Sequence, residues 1–216
     1  MISINLKQRI YTSLILFFLI FLIISFNAIL VFSLIVLGVL SLIEFFNISK
    51  KIIKNNFYLI ISNSFFVVYI FIFCILFFIF SNIFYLKIIT YTLLFGCIAS
   101  DIGGYVFGKI FKGPKLTKIS PKKTIAGAIG SIFFTCLVIV GAITIFTKNF
   151  SYNILIVGII TSLACQFGDL FFSILKRKAK IKDTGKLLPG HGGVLDRLDA
   201  IFLGIPIGFT SLALLY

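Results

Sequence analysis

Long apolar stretches separated by short polar segments occupy most of this chain of 216 residues. Each stretch is close to the roughly 20 residues that a helix needs to cross about 30 Å of hydrocarbon. The pattern therefore predicts an all-α, polytopic integral membrane protein with about seven transmembrane helices. The predicted spans are residues 11–26, 28–47, 57–80, 83–100, 125–147, 151–173 and 198–215.

Two of these stretches admit a second interpretation. The first follows Lys7 and Arg9 and resembles a signal peptide, but no small-residue cleavage site comes after it, so we expect a retained helix. The stretch 57–80 could hold two short segments, but a single tilted helix is the simpler prediction.

The composition supports the membrane prediction. Hydrophobic residues make up 60% of the chain and charged residues 12%, whereas soluble domains are about half apolar and a quarter charged. The formal charge of +14 lies between the apolar stretches rather than on one soluble face. We therefore expect the lipid bilayer, and no nucleic acid, as a partner.

The positions of the basic residues predict the orientation in the membrane, because cytoplasmic loops carry an excess of lysine and arginine. If the N-terminus is cytoplasmic, all of the 20 lysines and arginines except Lys87 and Lys148 fall on the cytoplasmic side. The predicted protein lies in the inner (cytoplasmic) membrane, with its C-terminus on the opposite side.

The six carboxylates all fall at or near the predicted cytoplasmic side; they are Glu44, Asp101, Asp169, Asp183, Asp196 and Asp199. Charges in or beside transmembrane helices are expensive and usually functional. In the sixth span, Ser162, Gln166, Asp169 and Ser173 recur at helical spacing and share one face. That face must contact protein, water or a ligand, since lipid would leave its polar groups unpaired.

A second acidic pair stands at the start of the last span. Asp196 and Asp199 are three residues apart, which places them on one helical face and offers the oxygen ligands that Mg²⁺ prefers. Acidic residues also suit a helix start without any ligand. The preceding glycine-rich segment, 189–193, favours a phosphate-binding loop before the helix N-terminus.

The connection between the fourth and fifth spans carries similar residues. Asp101–Tyr105 is predicted to end the fourth span, and Gly108 and Lys109 are predicted to lie in the following loop. Ser120–Thr124 then precedes a glycine-rich entry, 127–130, into the fifth span. No Walker A motif is present, which excludes an ordinary P-loop nucleotide site.

Residues 173–199 read SILKRKAKIKDTGKLLPGHGGVLDRLD. This segment, which we call the signature segment, resembles the signature of the phosphatidate cytidylyltransferase family: S-x-x-K-R, K-D, P-G-H-G-G and D-R-x-D. Residues 166–169, 101–109 and 120–124 resemble the same family, so the resemblance covers about 97–216. The family commonly carries an acidic residue shortly after the Lys-Thr pair, where this chain has Ala126.

The resemblance implies a division into N-terminal transmembrane helices, 1–96, and a catalytic transmembrane region, 97–216. It implies cytidylyl transfer from CTP to phosphatidate with Mg²⁺, and it leaves a second cation and a homodimer open. The implied catalytic residues are Asp169, Asp196, Asp199, Lys176, Arg177 and His191, of which the three aspartates are also the implied metal ligands. The implied substrate-binding residues are Asp101, Ser120, Lys122, Lys123, Thr124, Ser173, Lys186, Gly192, Gly193 and Arg197.

Two other functions fit parts of the pattern. A CTP-dependent lipid or polyprenol kinase would use the same nucleotide but transfer its γ-phosphoryl group. A membrane transporter would also carry intramembrane polar residues, but it would spread them through the bilayer midplane, often in repeated halves. The polar residues here gather at one predicted face, which favours an enzyme.

Overall fold

The computed structural model describes residues 4–117, 120, 123–185, 187 and 192–216, with side chains from residue 14 onward. The described chain is built from α-helices, with one isolated antiparallel bridge between Lys115 and Thr124. The seven helices are α1 (Ile4–Ser25), α2 (Asn27–Ile52), α3 (Asn56–Asn82), α4 (Phe84–Phe111), α5 (Ile125–Thr147), α6 (Tyr152–Lys178) and α7 (Leu195–Leu215).

Six of the described helices, α2 to α7, are long and apolar enough to cross a membrane. The described apolar part of α1, Leu14–Ser25, is shorter. Many large apolar side chains are exposed, such as Phe65 at 74% and Phe71 at 65%, as expected of helices that face lipid. These findings confirm an all-α, multi-pass membrane protein, and α3 confirms a single helix at 57–80.

The predicted end of the fourth span was wrong. The helix α4 continues to Phe111, so Asp101–Tyr105 lie within the helix rather than at its end, and Gly108 and Lys109 lie on the helix rather than in a loop. Apolar content falls after residue 100, but Gly103 and Gly104 pack directly against α5, and this contact stabilises the helix beyond its apolar stretch. At 28 residues, α4 is about 42 Å long, which exceeds the hydrocarbon thickness.

The described chain divides into two compact units. The first contains Met1–Asn82 and Leu175–Leu198, and therefore joins α1, α2 and α3 to most of the signature segment. Within it, α2 and α3 pack through the stacked rings of Phe45 and Phe66, 3.9 Å between centroids. A hydrogen bond of 2.7 Å joins the Ser49 hydroxyl to Asn63 Oδ1 on the same pair of helices.

The second unit contains Ile83–Ile174 and Asp199–Tyr216. Its closest helix contact joins α4 and α5, where the backbones of Gly103 and Gly130 meet. A Cβ atom on Gly103 would overlap the Gly130 carbonyl, so the two helices approach as closely as glycine allows. Small residues at helix contacts of this kind replace the hydrophobic driving force that is absent in lipid.

The α4–α5 contact should tolerate no added methyl group. We expect Gly130→Ala to destabilise the protein by about 1–3 kcal/mol, because its Cβ atom would overlap Phe107. The matched control is Gly141→Ala on the same helix, where a Cβ atom would meet nothing within 4 Å. Thermal unfolding in detergent should show a lower midpoint for Gly130→Ala alone; equal midpoints for the two variants would contradict the close packing.

Candidate functional site

A polar cavity of about 330 Å³ opens in the second unit, lined by α4, α5, α6 and the segment before α5. Gly104 of α4 and Gly127 of α5 contribute to its wall, together with Ser131 of α5. Its polar and charged lining includes Asp101, Tyr105, Ser120, Lys123, Gln166 and Asp169. The volume lies within the roughly 300–1,000 Å³ of small-molecule sites.

The segment before α5 is folded so that Lys123 reaches this cavity. Its two arms meet where the Leu116 N–H donates to the Lys123 carbonyl at 2.8 Å. The Thr124 hydroxyl then caps α5 by accepting from the Gly127 N–H at 3.1 Å. Lys123 forms an ion pair with Asp169. The two side chains are 24% and 31% exposed, so the ion pair faces the open cavity.

The polar stripe predicted on the sixth span is confirmed. The Gln166 amide donates to the Ala128 carbonyl at 3.2 Å and to the Ser162 hydroxyl at 3.3 Å. The Ser173 hydroxyl donates to Asp169 at 3.3 Å, one helical turn away. The stripe therefore lies against α5 and along the cavity, where its polar groups find partners.

A second cluster lies in the first unit, around Asp196. Lys176 at the end of α6 forms an ion pair of 2.6 Å with Asp196 Oδ1. The other carboxylate oxygen, Oδ2, accepts from the Thr184 N–H at 2.8 Å, the Thr184 hydroxyl at 3.1 Å and the Gly193 N–H at 3.0 Å. Asp196 therefore contacts three separate positions of the signature segment, Lys176, Thr184 and Gly193.

This arrangement changes the interpretation of the glycines before α7. Gly192 has a φ of +87°, and a Cβ atom there would lie 2.9 Å from Asp196, so both backbone conformation and space require glycine. The Gly193 N–H points at Asp196 rather than at open space. A phosphate would have to compete with the chain's own carboxylate for that donor, and the substrate-binding roles of Gly192 and Gly193 stay predictions.

The remaining predicted residues are distributed as follows. Arg177 is exposed and donates to the Ile181 carbonyl at 3.4 Å. Asp199 is buried on α7 within the second unit, where its Oδ1 accepts from the Ala200 N–H at 2.9 Å. Arg197 is exposed in the first turn of α7. Lys122, Lys186 and His191 lie outside the described residues, as do Pro189 and Gly190.

The donor set permits a metal ion only together with other ligands. Among the described residues, no group of three or more His, Cys, Asp or Glu side chains is arranged to hold an ion. Two carboxylates, Asp101 and Asp169, line the same cavity. Mg²⁺ is commonly held by one or two carboxylates plus substrate phosphates, so this cavity fits that pattern. The ligand set Asp169, Asp196 and Asp199 stays a prediction.

The model of the family described as "Cytidylyltransferase family" matches residues 11–215. The chain belongs to the cytidylyltransferase family. The match begins near the N-terminus, so kinship extends well beyond the region 97–216 that carries the quoted motifs.

Individual members of this cytidylyltransferase family are also similar to the chain. A protein of Rickettsia felis named phosphatidate cytidylyltransferase is 42% identical over 127 residues, covering 54% of this chain and 56% of the relative. Proteins of the same name from Staphylococcus haemolyticus and Synechocystis sp. are 44% identical over 112 residues and 38% identical over 125. The matches cover 42% and 43% of the length of these two relatives, so the chain spans about half the length of the relatives it matches.

The sequence pattern gave no specific role to one functional candidate in this family member. Glu44 of α2 is 3% exposed, and its carboxylate accepts hydrogen bonds from the residues that lead into α7. The available signal was a lone acid at the end of an apolar span, which indicates function in general without naming a partner. The partners lie 140 to 151 residues further along the chain.

The Lys176–Asp196 ion pair should contribute measurably to stability. Its side chains are only 12% and 6% exposed, so Lys176→Met would leave a buried carboxylate without its counter-ion. We expect the free energy of unfolding to fall by about 3 kcal/mol, at the lower end of the range for broken buried ion pairs. The loss is limited because the backbone N–H groups of Thr184 and Gly193 still donate to Asp196. Lys178→Met, at an exposed position of the same helix, is the control. Thermal unfolding in detergent should separate them; equal midpoints would contradict a buried pair.

Proposed function

We propose that the chain transfers the cytidylyl group of CTP to phosphatidate, giving CDP-diacylglycerol and pyrophosphate. Three supports converge on this reaction: membership of the cytidylyltransferase family, the names of the relatives, and the signature segment. The observation that carries the proposal is the polar cavity in which Asp101, Asp169 and Lys123 meet. The two carboxylates can hold a metal ion that binds the phosphates of a nucleotide, and the lysine can bind a phosphate oxygen directly.

The proposed reaction needs little covalent help from the protein. A phosphatidate oxygen attacks the α-phosphorus of CTP, and a new phosphorus–oxygen bond forms as the bond to the β-phosphate bridge breaks. Pyrophosphate leaves with that electron pair. Because phosphate monoesters are largely ionised near neutral pH, with a second pKa of about 6, the nucleophile needs no strong base. The protein's tasks are positioning and charge neutralisation.

Residues of the second unit can perform both tasks. Asp101 and Asp169 would hold Mg²⁺ with phosphate oxygens as further ligands, and the bound ion would neutralise phosphate charge. Lys123 pairs with Asp169 and is placed to transfer its contact to a phosphate oxygen. Four basic residues of the signature segment, which belong to the first unit, are separately proposed to bind the triphosphate or the lipid phosphate: Lys176, Arg177, Lys186 and Arg197.

We further propose that the site works at the cytoplasmic face of the inner membrane. CTP is a cytoplasmic nucleotide, and phosphatidate presents its head group at the leaflet surface. The basic residues support the same side, because nearly all of them fall on the face that the positive-inside rule assigns to the cytoplasm.

The decisive experiment supplies purified protein in detergent with phosphatidate, Mg²⁺ and CTP labelled at either the α- or the γ-phosphate. The proposed reaction predicts α-label, and no γ-label, in the lipid product. γ-Label in the lipid would instead establish a CTP-dependent lipid kinase. Label in neither, from protein that elutes as a single folded species, would contradict both.

The same assay in sealed vesicles tests the proposed side of the membrane. Externally added CTP should support transfer in inverted vesicles and not in right-side-out vesicles. Detergent permeabilisation of each preparation provides the matched control for enzyme content. Transfer restricted to right-side-out vesicles would overturn the orientation while leaving the reaction intact.

A further inference from the structure

Glu44 is a buried carboxylate outside every motif that the sequence points to. It stands near the end of α2, in the N-terminal part of the chain, and only 3% of the residue is exposed. A buried carboxylate costs several kcal/mol unless it is well hydrogen-bonded or paired, so its presence needs a structural reason.

The hydrogen bonds of Glu44 lead to two places in the signature segment. Oε1 accepts from the Val194 N–H at 3.0 Å, and Oε2 accepts from the Leu195 N–H at 2.9 Å. Oε2 also accepts from the Thr184 hydroxyl at 2.5 Å. The carboxylate therefore joins Thr184 to Val194 and Leu195, and we use the name signature loop for the described residues 184–185, 187 and 192–195.

The signature loop is shaped around this carboxylate. A Cβ atom on Gly185 would lie 2.5 Å from Glu44 Oε1, and one on Gly193 would overlap Oε2, so glycine at both positions leaves the room that Glu44 occupies. The two N–H groups it bonds stand at the start of α7, where the helix dipole favours a negative charge. Loop and carboxylate therefore fit each other in space and in charge.

Glu44 and Asp196 both contact the Thr184 hydroxyl. The Thr184 hydroxyl lies 2.5 Å from Glu44 Oε2 and 3.1 Å from Asp196 Oδ2. Asp196 also holds Lys176, a residue that the proposed function assigns to phosphate binding. Loss of Glu44 would therefore release the loop ends directly and disturb the Asp196–Lys176 pair through Thr184.

We propose that Glu44 is a positioning residue that holds the signature loop in the conformation required for turnover. This proposal rests on the proposed cytidylyl transfer, because it assigns the loop a part in that reaction. Glu44 touches neither reacting group in this account; it acts through Thr184, Val194 and Leu195.

The test compares Glu44→Gln with Ser41→Ala. The glutamine keeps the size of the side chain, but its NH₂ group cannot accept from the loop N–H groups. Ser41 is the matched control because it is fully buried one turn earlier on α2 and bonds the Leu37 carbonyl of its own helix. Each variant is measured for tryptic cleavage at the exposed Lys180 and Lys182, for kcat and KM, and for thermal unfolding.

We expect Glu44→Gln to speed cleavage at least tenfold without substrate and to lower kcat, per folded molecule, at least tenfold; the unfolding midpoint should also fall, because buried N–H groups lose an acceptor. Ser41→Ala should match the unmodified protein in cleavage and turnover. Unchanged cleavage in Glu44→Gln, or a rate that falls only in proportion to lost folded protein, would overturn the proposal.

A second variant keeps the test decisive if Glu44→Gln does not fold. Thr184→Val removes the hydroxyl that joins the loop to Glu44 and should speed cleavage at the adjoining Lys180 and Lys182, whereas Thr184→Ser retains that hydroxyl and should leave cleavage as slow as in the unmodified protein. Equal cleavage of the two would overturn the proposal. Cleavage is read without substrate, and the labelled-CTP assay uses the unmodified protein, so failure of the reaction and failure of the loop attachment are separate results.

Discussion

Two buried or half-buried carboxylates bind the backbone N–H groups that precede and begin α7, and the described part of the signature segment depends on this interaction. The Glu44 carboxylate accepts from the Val194 and Leu195 N–H groups, and the Asp196 carboxylate accepts from the Thr184 and Gly193 N–H groups. A helix start leaves its first N–H groups without intrahelical partners, and burial makes that costly. The chain supplies its own anions there, which explains why glycines surround them and why a phosphate would meet competition.

The second unit meets a different constraint, the close approach of helices in lipid. Glycines at the α4–α5 contact bring the two backbones together, and the added packing carries α4 past the end of its apolar stretch. As a result, Asp101 and Tyr105 lie within a helix beside the cavity rather than at its end. A site built on helices holds its groups more precisely than one built on a free connection.

Sequence patterns predicted the helices well because lipid imposes a length and an apolar composition on each span. They also placed Gln166 and Asp169 on one polar face, since helical spacing alone decides that. They failed at the end of α4, where tertiary packing and not apolar content sets the boundary. They gave Glu44 no partner, because its hydrogen bonds go to backbone groups about 150 residues away, and a backbone N–H leaves no mark in a sequence.

The N–H groups around the start of α7 are already bonded within the protein. Hydrogen–deuterium exchange on the unmodified protein without substrate tests it directly. We expect slow exchange at Thr184, Gly193, Val194 and Leu195, far slower than at the exposed Lys182 and Asp183 of the same segment. Exchange at all of these positions at the rate of an unstructured loop would contradict it.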